Sequence, residues 1–404
     1  MDAKTIGKNI STLRKKCDLT QNELAEKLGV SNKAVSRWES GKGYPDISFF
    51  PMLSEIFGVT IDYLMLGERK GITIAGNIIA DIVKNIDVYP EIGMLTNIND
   101  ISYAVGGCAA NTSIDIAKID TSLPVSVVGM VGNDPQGRYI LSQLQKYNID
   151  TTGILFCQDE QTSFCDVMSM PNGERTFFHK KGANAIFSPS DIDIPSLNCT
   201  LLHIGYILLL DRFDEHDEKY GTVMARFLHD VQKRGIKTSI DVVSSSDADY
   251  ASKILPALKY TDYAIMNEIE ACGAFGVAPY RADGTLNCEN VIYAMRTMAE
   301  NGVSDKVIVH SKFDSFILDV QSGQVTEVPS LKIPTELIKG SVGAGDAFCA
   351  GCLYGIYNGY SDRKILEFAS AAAACNLFAA NSVDGMRTKE EIEKICEKYE
   401  RIGS

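Results

Sequence analysis

The chain has 404 residues, enough for two or three domains, and 45% of them are hydrophobic, which points to packed globular cores and away from disorder. No run of about 18 uncharged apolar residues occurs, and the N-terminus lacks the basic-then-apolar order of a secretion signal; both argue against membrane insertion and export and for the cytoplasm. The net charge is −13, yet residues 1–68 balance nine Lys/Arg against nine Asp/Glu, so any contact with nucleic acid has to come from that neutral part rather than the acidic remainder.

In chain order, the first 66 residues read as short helices. Ile6, Ile10 and Leu13 recur at helical spacing. Leu24, Ala25 and Leu28 follow Thr20, and Val35 and Trp38 follow Ser31, each a good N-cap. Further helices are expected over Phe49–Ile56 and Ile61–Leu66, before the charged, glycine-flanked stretch GERKG at 67–71. Beyond it, β-rich runs at 71–83, 122–132, 199–209, 236–244, 261–267 and 305–312 alternate with helical segments at 109–118, 137–147, 218–234 and 289–301. That alternation predicts an α/β domain with a mostly parallel sheet flanked by helices and sites at the carboxyl ends of its strands. Two polar-alternating pairs, near 81–105 and 162–180, read as antiparallel strands of a small β lid, with PNGER at 171–175 as a hairpin turn.

The eleven cysteines lack framework spacing and read as reduced, buried thiols; Cys349 and Cys352, spaced as CxxC in an apolar helix, read as core packing. The five histidines show no HxxxH or HxH spacing, which disfavours a histidine-built metal centre.

LTQNELAEKLGVSNKAVSRWESGK, residues 19–42, closely resembles the helix-turn-helix of the lambda-repressor/Cro type. Ala25 is small where helices cross, Gly29 permits a left-handed turn, and Val35 with Trp38 anchors the second helix. The outward side chains Asn32, Lys33, Ser36 and Arg37 are the expected readers of a double-stranded DNA operator. The resemblance adds Gln21 as a further DNA contact and pairs Arg14 with Glu39. A homodimer is expected, since one recognition helix covers a half-site; a protein-interaction module is the plainer alternative.

Near the C-terminus, KGSVGAGDAFCAG (339–351) places glycines and one aspartate where an extended run becomes an apolar helix. A helix N-terminus offers unpaired N–H groups and partial positive charge, and glycine lets an anion approach them. The amides of Gly343, Ala344 and Gly345 would form a phosphate nest, with Asp346 beside it as the base that deprotonates an attacking hydroxyl. The bland alternative is an aspartate that only favours the helix dipole. Neither GxxxxGK[ST] nor GxGxxG occurs.

This segment resembles the signature of PfkB-type, ribokinase-like carbohydrate kinases, and GNIIAD (76–81), GGCAANTSIDIA (106–117), GMVGNDPQG (129–137) and MNEIE (266–270) match further motifs of that family in order. The resemblance implies ATP and Mg2+ as cofactors and a sugar or sugar-like substrate. It assigns Asp81, Gly106, Gly107, Asn111, Asn184 and Asp241 to the sugar. Asn267, Glu270, Ser311 and Asn376 fall to the nucleotide, with Asn267 and Glu270 holding Mg2+ through water; their spacing equally fits a capping box. Asn184 and Asp241 are as compatible with turn structure as with substrate contact. Gly340 and Ser341 replace the usual Asp-Thr, which puts the monovalent-cation site of many relatives in doubt. The expected domains are 1–67 (helix-turn-helix), 68–74 (linker) and 75–404 (ribokinase-like). A ligand-sensing regulator with a weak or inactive kinase fold, or a nucleoside kinase, remains an alternative.

Overall fold

The structure is a computed structural model that describes residues 3–67, 69–171, 174–243 and 250–403. Glu68 of the expected linker, the tip of the 171–175 turn and the last residue of the 236–244 run lie outside the described residues. The chain divides into two compact units, Met1–Lys70 and Gly71–Ser404.

The first unit contains α1 (Ala3–Lys16), α2 (Gln21–Leu28), α3 (Asn32–Glu39), α4 (Phe49–Phe57) and α5 (Ile61–Leu66). Thr20 accepts from the Glu23 amide while the Glu23 carboxylate accepts from the Thr20 amide at 2.7 Å, a reciprocal cap that starts α2. Gly29, at φ 69°, ends it in the left-handed region, and Ser31 caps α3 two residues on. Ile10, Leu24, Val35 and Leu53 are fully buried in the core they share with Trp38. The expected ion pair forms: Arg14 Nε lies 2.6 Å and Nη2 3.1 Å from the two oxygens of Glu39.

The second unit runs β1 (Ile72–Gly76), β2 (Ile79–Ile86), β3 (Ile98–Gly106), α6 (Cys108–Ile119), β4 (Val125–Gly132), α7 (Pro135–Lys146), β5 (Asp150–Cys157), β6 (Phe164–Ser169), β7 (Arg175–Lys180), α8 (Ala183–Ile186), β8 (Leu201–Ile207), β9 (His216–Asp217), β10 (Gly221–Thr222) and α9 (Val223–Gln232). It continues with β11 (Lys237–Val242), α10 (Tyr250–Leu258), β12 (Tyr263–Asn267), α11 (Glu268–Gly273), α12 (Cys288–Glu300), β13 (Lys306–His310), β14 (Asp314–Asp319), β15 (Val325–Pro329), α13 (Ala344–Tyr357), α14 (Asp362–Asn376) and α15 (Lys389–Lys398).

Among the described residues one nine-stranded sheet has the order β15-β14-β13-β12-β11-β8-β1-β4-β5, parallel except at β13–β14 and β14–β15. Its strands are apolar on both sides because helices cover both. In β12, Ile265 joins the core under α6, α13 and α14, while Ala264 and Met266 join the core under α9 to α12.

Three expectations change. The run 71–83 is two strands in two sheets: Gly76, at φ 124°, turns the chain out of the main sheet before β2 begins. The lid sheet β3-β2-β6-β7 has its two antiparallel pairs, but β2 and β6 join them in parallel. The run expected at 305–312 stops at His310, and the chain folds back at Ser311–Phe313 into the antiparallel pair β13 and β14, because Ser311 Oγ accepts from the Phe313 and Asp314 amides.

Helix α13 lies close against α14: a Cβ at Gly351 would stand 2.7 Å from Ala369 Cα and 3.2 Å from Ala372 Cβ. Gly351→Ala is therefore expected to destabilise the second unit by roughly 1–3 kcal/mol, read as an earlier chemical-denaturation midpoint; an unchanged midpoint would show that the helices are free to separate.

Candidate active site

The carboxyl ends of β8, β11, β12 and β13 and the start of α13 meet around Asp346. Gly343 sits at φ 81° as the residue preceding α13, and a Cβ there would lie 2.7 Å from Ser382 Cα, so the turn requires glycine on two counts. Asn376 Nδ2 donates to the Val342 carbonyl at 2.7 Å and ties the turn to α14. The expected set of anion-binding amides needs correcting: the Ala344 N–H is given to the Ser341 carbonyl at 3.2 Å. Gly345 and Asp346 occupy the first helical turn, where the helix supplies no acceptor for their amides.

Asp346 is 5% exposed. Asn111 Nδ2 donates to its Oδ2 at 2.8 Å, and the Tyr206 hydroxyl lies 3.1 Å from Oδ1. Desolvation pushes its carboxyl up to about 6, Asn111 and Tyr206 pull it down through their hydrogen bonds, and the charge of Asp241 pushes it up. Tyr206 was not legible in the sequence. It is the penultimate residue of β8, at φ 61°, an uncommon backbone region for a large side chain, with its amide held by Asp241 Oδ1.

Two clefts flank the turn. One, of about 230 Å³, is lined by Tyr206, Asp241, Asn267, Glu270, Asp346 and Cys349 among others. The second, of about 280 Å³, is largely apolar, with Leu331, Ile333, Phe348 and Leu377 beside Ser311 and Lys312. Gly345 and His310 line both, so the clefts meet at the glycine turn. His310, also missed from the sequence, packs on Phe348 with ring centroids 4.5 Å apart, and burial drives its imidazole down to about 4, leaving it neutral at neutral pH.

The remaining candidates divide. Asp81 carries a carboxyl pushed up to about 6 by burial and drawn down by the Arg175 charge. Gly106 and Gly107 were expected to open room for a sugar; instead a Cβ at Gly106 would meet Asp81 Oδ2 at 2.6 Å and one at Gly107 the Asn77 carbonyl at 2.4 Å, so the space serves the protein's own groups. Asn184 is fully buried and spent on the 77–78 loop, with Nδ2 2.7 Å from Asn77 Oδ1 and Oδ1 accepting from the Ile78 amide at 3.3 Å, which makes it a brace rather than an exposed sugar contact. Asn376 likewise braces the turn and lines neither cleft. Asn267 and Glu270 form the capping box of α11, Asn267 Nδ2 donating to Glu270 Oε1 at 2.7 Å, and both still line the Asp346 cleft. Ser311 shapes the β13–β14 turn and borders the apolar cleft.

In the first unit, Asn32, Lys33, Ser36 and Arg37 are all exposed along α3, as the spacing requires. Arg37 Nε donates to the Lys42 carbonyl at 3.1 Å, and Gln21 Nε2 to Glu39 Oε2 at 2.7 Å, so Gln21 is partly committed inside the unit.

A three-layer fold with a buried aspartate at a glycine-turned helix start defines a ribokinase-like phosphotransferase. The chain belongs to the pfkB family of carbohydrate kinases, whose description it matches over residues 74–389, and residues 10–64 match a helix-turn-helix family. It is 22% identical over 308 residues to a 5-dehydro-2-deoxygluconokinase of Bacillus subtilis, covering 72% of this chain and 86% of that protein. Its N-terminal unit is 50% identical over 60 residues to the HTH-type transcriptional activator BcrR of Enterococcus faecalis, 15% of this chain and 29% of the other. Ribokinase of Arabidopsis thaliana, solved with ribose and ATP, shares the fold at TM-score 0.66 and 21% identity, over 81% of this chain and 99% of that one.

Because the folded Asp346 carboxyl sits near 6 against an ordinary 3.8, the native state binds its proton more tightly than the unfolded chain. Stability is therefore lost as pH rises from about 4 through 6, by on the order of 3 kcal/mol. Asp346→Asn is expected to raise the denaturation midpoint at pH 8, with the gap closing by pH 4; a gap constant with pH would show that the carboxylate is well solvated.

Proposed function

We propose that the chain transfers the terminal phosphoryl group of ATP to a hydroxyl of a sugar or sugar-like acceptor and binds a DNA operator through its first unit. The observation that carries the kinase reading is the buried Asp346, which lines one cleft beside Gly345, where that cleft meets the apolar one. The apolar cleft suits an adenosine moiety against Phe348 and Leu377, and the Asp346 cleft suits the phosphates and the acceptor. Asp346 takes the proton from the acceptor hydroxyl, and the amides of Gly345 and Asp346 bind negative charge on the transferring group. Asn111 and Tyr206 hold the carboxylate in place. Asn111 Oδ1, buried and without a hydrogen-bond partner among the described residues, is a ready acceptor for a sugar hydroxyl, with Asp81 and Asp241 as further contacts.

Asn267 and Glu270 offer oxygen donors on the same cleft, which fits a hard, water-retaining cation; they would hold Mg2+ through water. The bound ion supplies charge neutralisation on the nucleotide phosphates. Gly340 and Ser341 offer no carboxylate for a monovalent cation.

The proposed operator complex is cytoplasmic and dimeric. One face of the lid leaves Ile101, Tyr103 and Phe178 each at least half exposed, an apolar surface that pairing of two chains would cover, giving one recognition helix per half-site. A second reading, a ligand sensor that turns over slowly, is favoured by the Ala344 amide and the Tyr206 hydroxyl, which are already engaged within the site.

Coupled ATP consumption across sugars, sugar acids including 5-dehydro-2-deoxygluconate, and nucleosides is expected to reveal an acceptor. Asp346→Asn should cut its kcat by roughly 10²–10⁴-fold. The wild-type rate should fall on the acid side of about pH 6, where Asp346 takes up its proton. Turnover retained by Asp346→Asn would refute its role as base, and operator affinity that shifts with an unconsumed ligand would favour the sensor.

For the first unit, Lys33→Ala should weaken binding to all operators alike and lower the salt slope by about one, while Asn32→Ala should relax sequence preference by roughly 1–3 kcal/mol. Sedimentation that finds only the 44.1 kDa chain on the operator would remove the dimer.

A further inference from the structure

Three side chains that no spacing in the sequence brings together converge beneath the Asp346 cleft. His203 comes from β8, Asp241 from β11 and Cys349 from α13, and all three are buried. His203 Nε2 lies 3.4 Å from Asp241 Oδ2 and 3.6 Å from Cys349 Sγ, and the three ligand atoms all fall within 4.8 Å of one another. A tetrahedral zinc ion, with metal–nitrogen and metal–oxygen bonds of about 2.0–2.1 Å and a metal–sulfur bond of about 2.3 Å, needs N···O near 3.4 Å and N···S near 3.6 Å. Two edges of that tetrahedron are thus already set.

The surroundings match the geometry. Ser239, paired with His203 across the parallel β8–β11 ladder, has its Oγ 3.0 Å from His203 Nδ1. With the Nδ1 proton donated to that hydroxyl, Nε2 keeps its lone pair for a metal and the ring is held in orientation. Asp241 and Cys349 line the cleft of about 230 Å³, which supplies an entry path and an open fourth position for water.

We propose that His203, Asp241 and Cys349 form a binding site for a thiophilic divalent cation of the zinc class. The donor set separates it from the magnesium position: thiolate and imidazole favour Zn2+, Co2+ or Cd2+, whereas Asn267 and Glu270 offer only oxygen to a hard ion. On binding, the Cys349 S–H bond breaks, its proton leaves to solvent and the metal–sulfur bond forms, with no change of oxidation state; occupancy therefore falls with falling pH. Resting on the kinase reading, the occupied site withdraws Asp241 from the acceptor and places positive charge beside Asp346, so the ion inhibits turnover.

The test is Co2+ titration of the metal-free full chain, followed by absorption. Expected are one equivalent of tetrahedral cobalt with a thiolate charge-transfer band, displaced by stoichiometric Zn2+ and unaffected by excess Mg2+. Cys349→Ser loses the band, while Cys352→Ser, buried on the same helix, retains it. Absence of the band in the unmodified chain, or its survival in Cys349→Ser, overturns the site. Should Cys349→Ser not fold, X-ray absorption of the zinc-loaded wild type decides: one sulfur neighbour with nitrogen and oxygen supports the site, and two or more sulfurs overturn it. In the kinase assay, the Zn2+ concentration for half-inhibition is expected to rise at least about tenfold in Cys349→Ser. Equal inhibition of both proteins, with the cobalt result intact, overturns the link to turnover and leaves the cation site standing.

Discussion

The hydrogen bond from Asn111 to Asp346 is the contact around which the second unit is organised. It joins the first turns of α6 and α13, two helices that start more than 200 residues apart in the chain, and it holds a carboxylate in surroundings where ionisation is costly. A solvated aspartate at the same helix start would be a dipole partner and little else. Desolvated, and restrained by Asn111 and Tyr206, it becomes a group with raised proton affinity at a fixed position, which suits proton transfer near neutral pH.

The glycines serve that arrangement by close approach more than by open space. Gly343 lets the turn pass Ser382, Gly351 lets α13 sit on α14, and Gly106 and Gly107 let the α6 start pass Asp81 and the Asn77 carbonyl. Each removes a Cβ where the protein's own backbone or carboxylate needs the volume, so the two helix N-termini are drawn to the carboxyl ends of the strands. The strained end of β8 belongs to the same construction: Tyr206 at φ 61°, its amide bound to Asp241, aims its hydroxyl at Asp346.

The first unit was legible almost residue by residue. Its caps at Thr20 and Ser31, the turn at Gly29 and the exposed face of α3 follow from local spacing, and the Arg14–Glu39 pair that the family resemblance implied is formed. The α/β character of the second unit was legible too, since apolar strands alternating with helices are a local pattern. Less visible was the break at Gly76, because two strands of different sheets abut in one apolar run. Asn184 and Asn376 looked like ligand contacts by position but spend their amides on backbone carbonyls and loops.

Taken alone, the sequence determined the short capped helices of the first unit, the strand–helix alternation of the second and the glycine turn ahead of Asp346, because each is written in periodicity or turn chemistry over a few residues. Only the tertiary structure decided that Ala344 gives its amide to Ser341, that Tyr206 and His310 belong to the clefts, and that His203, Asp241 and Cys349 meet. Those outcomes depend on which strands become neighbours and how closely helices approach, quantities set by packing between segments far apart in the chain, where no local pattern records the distance.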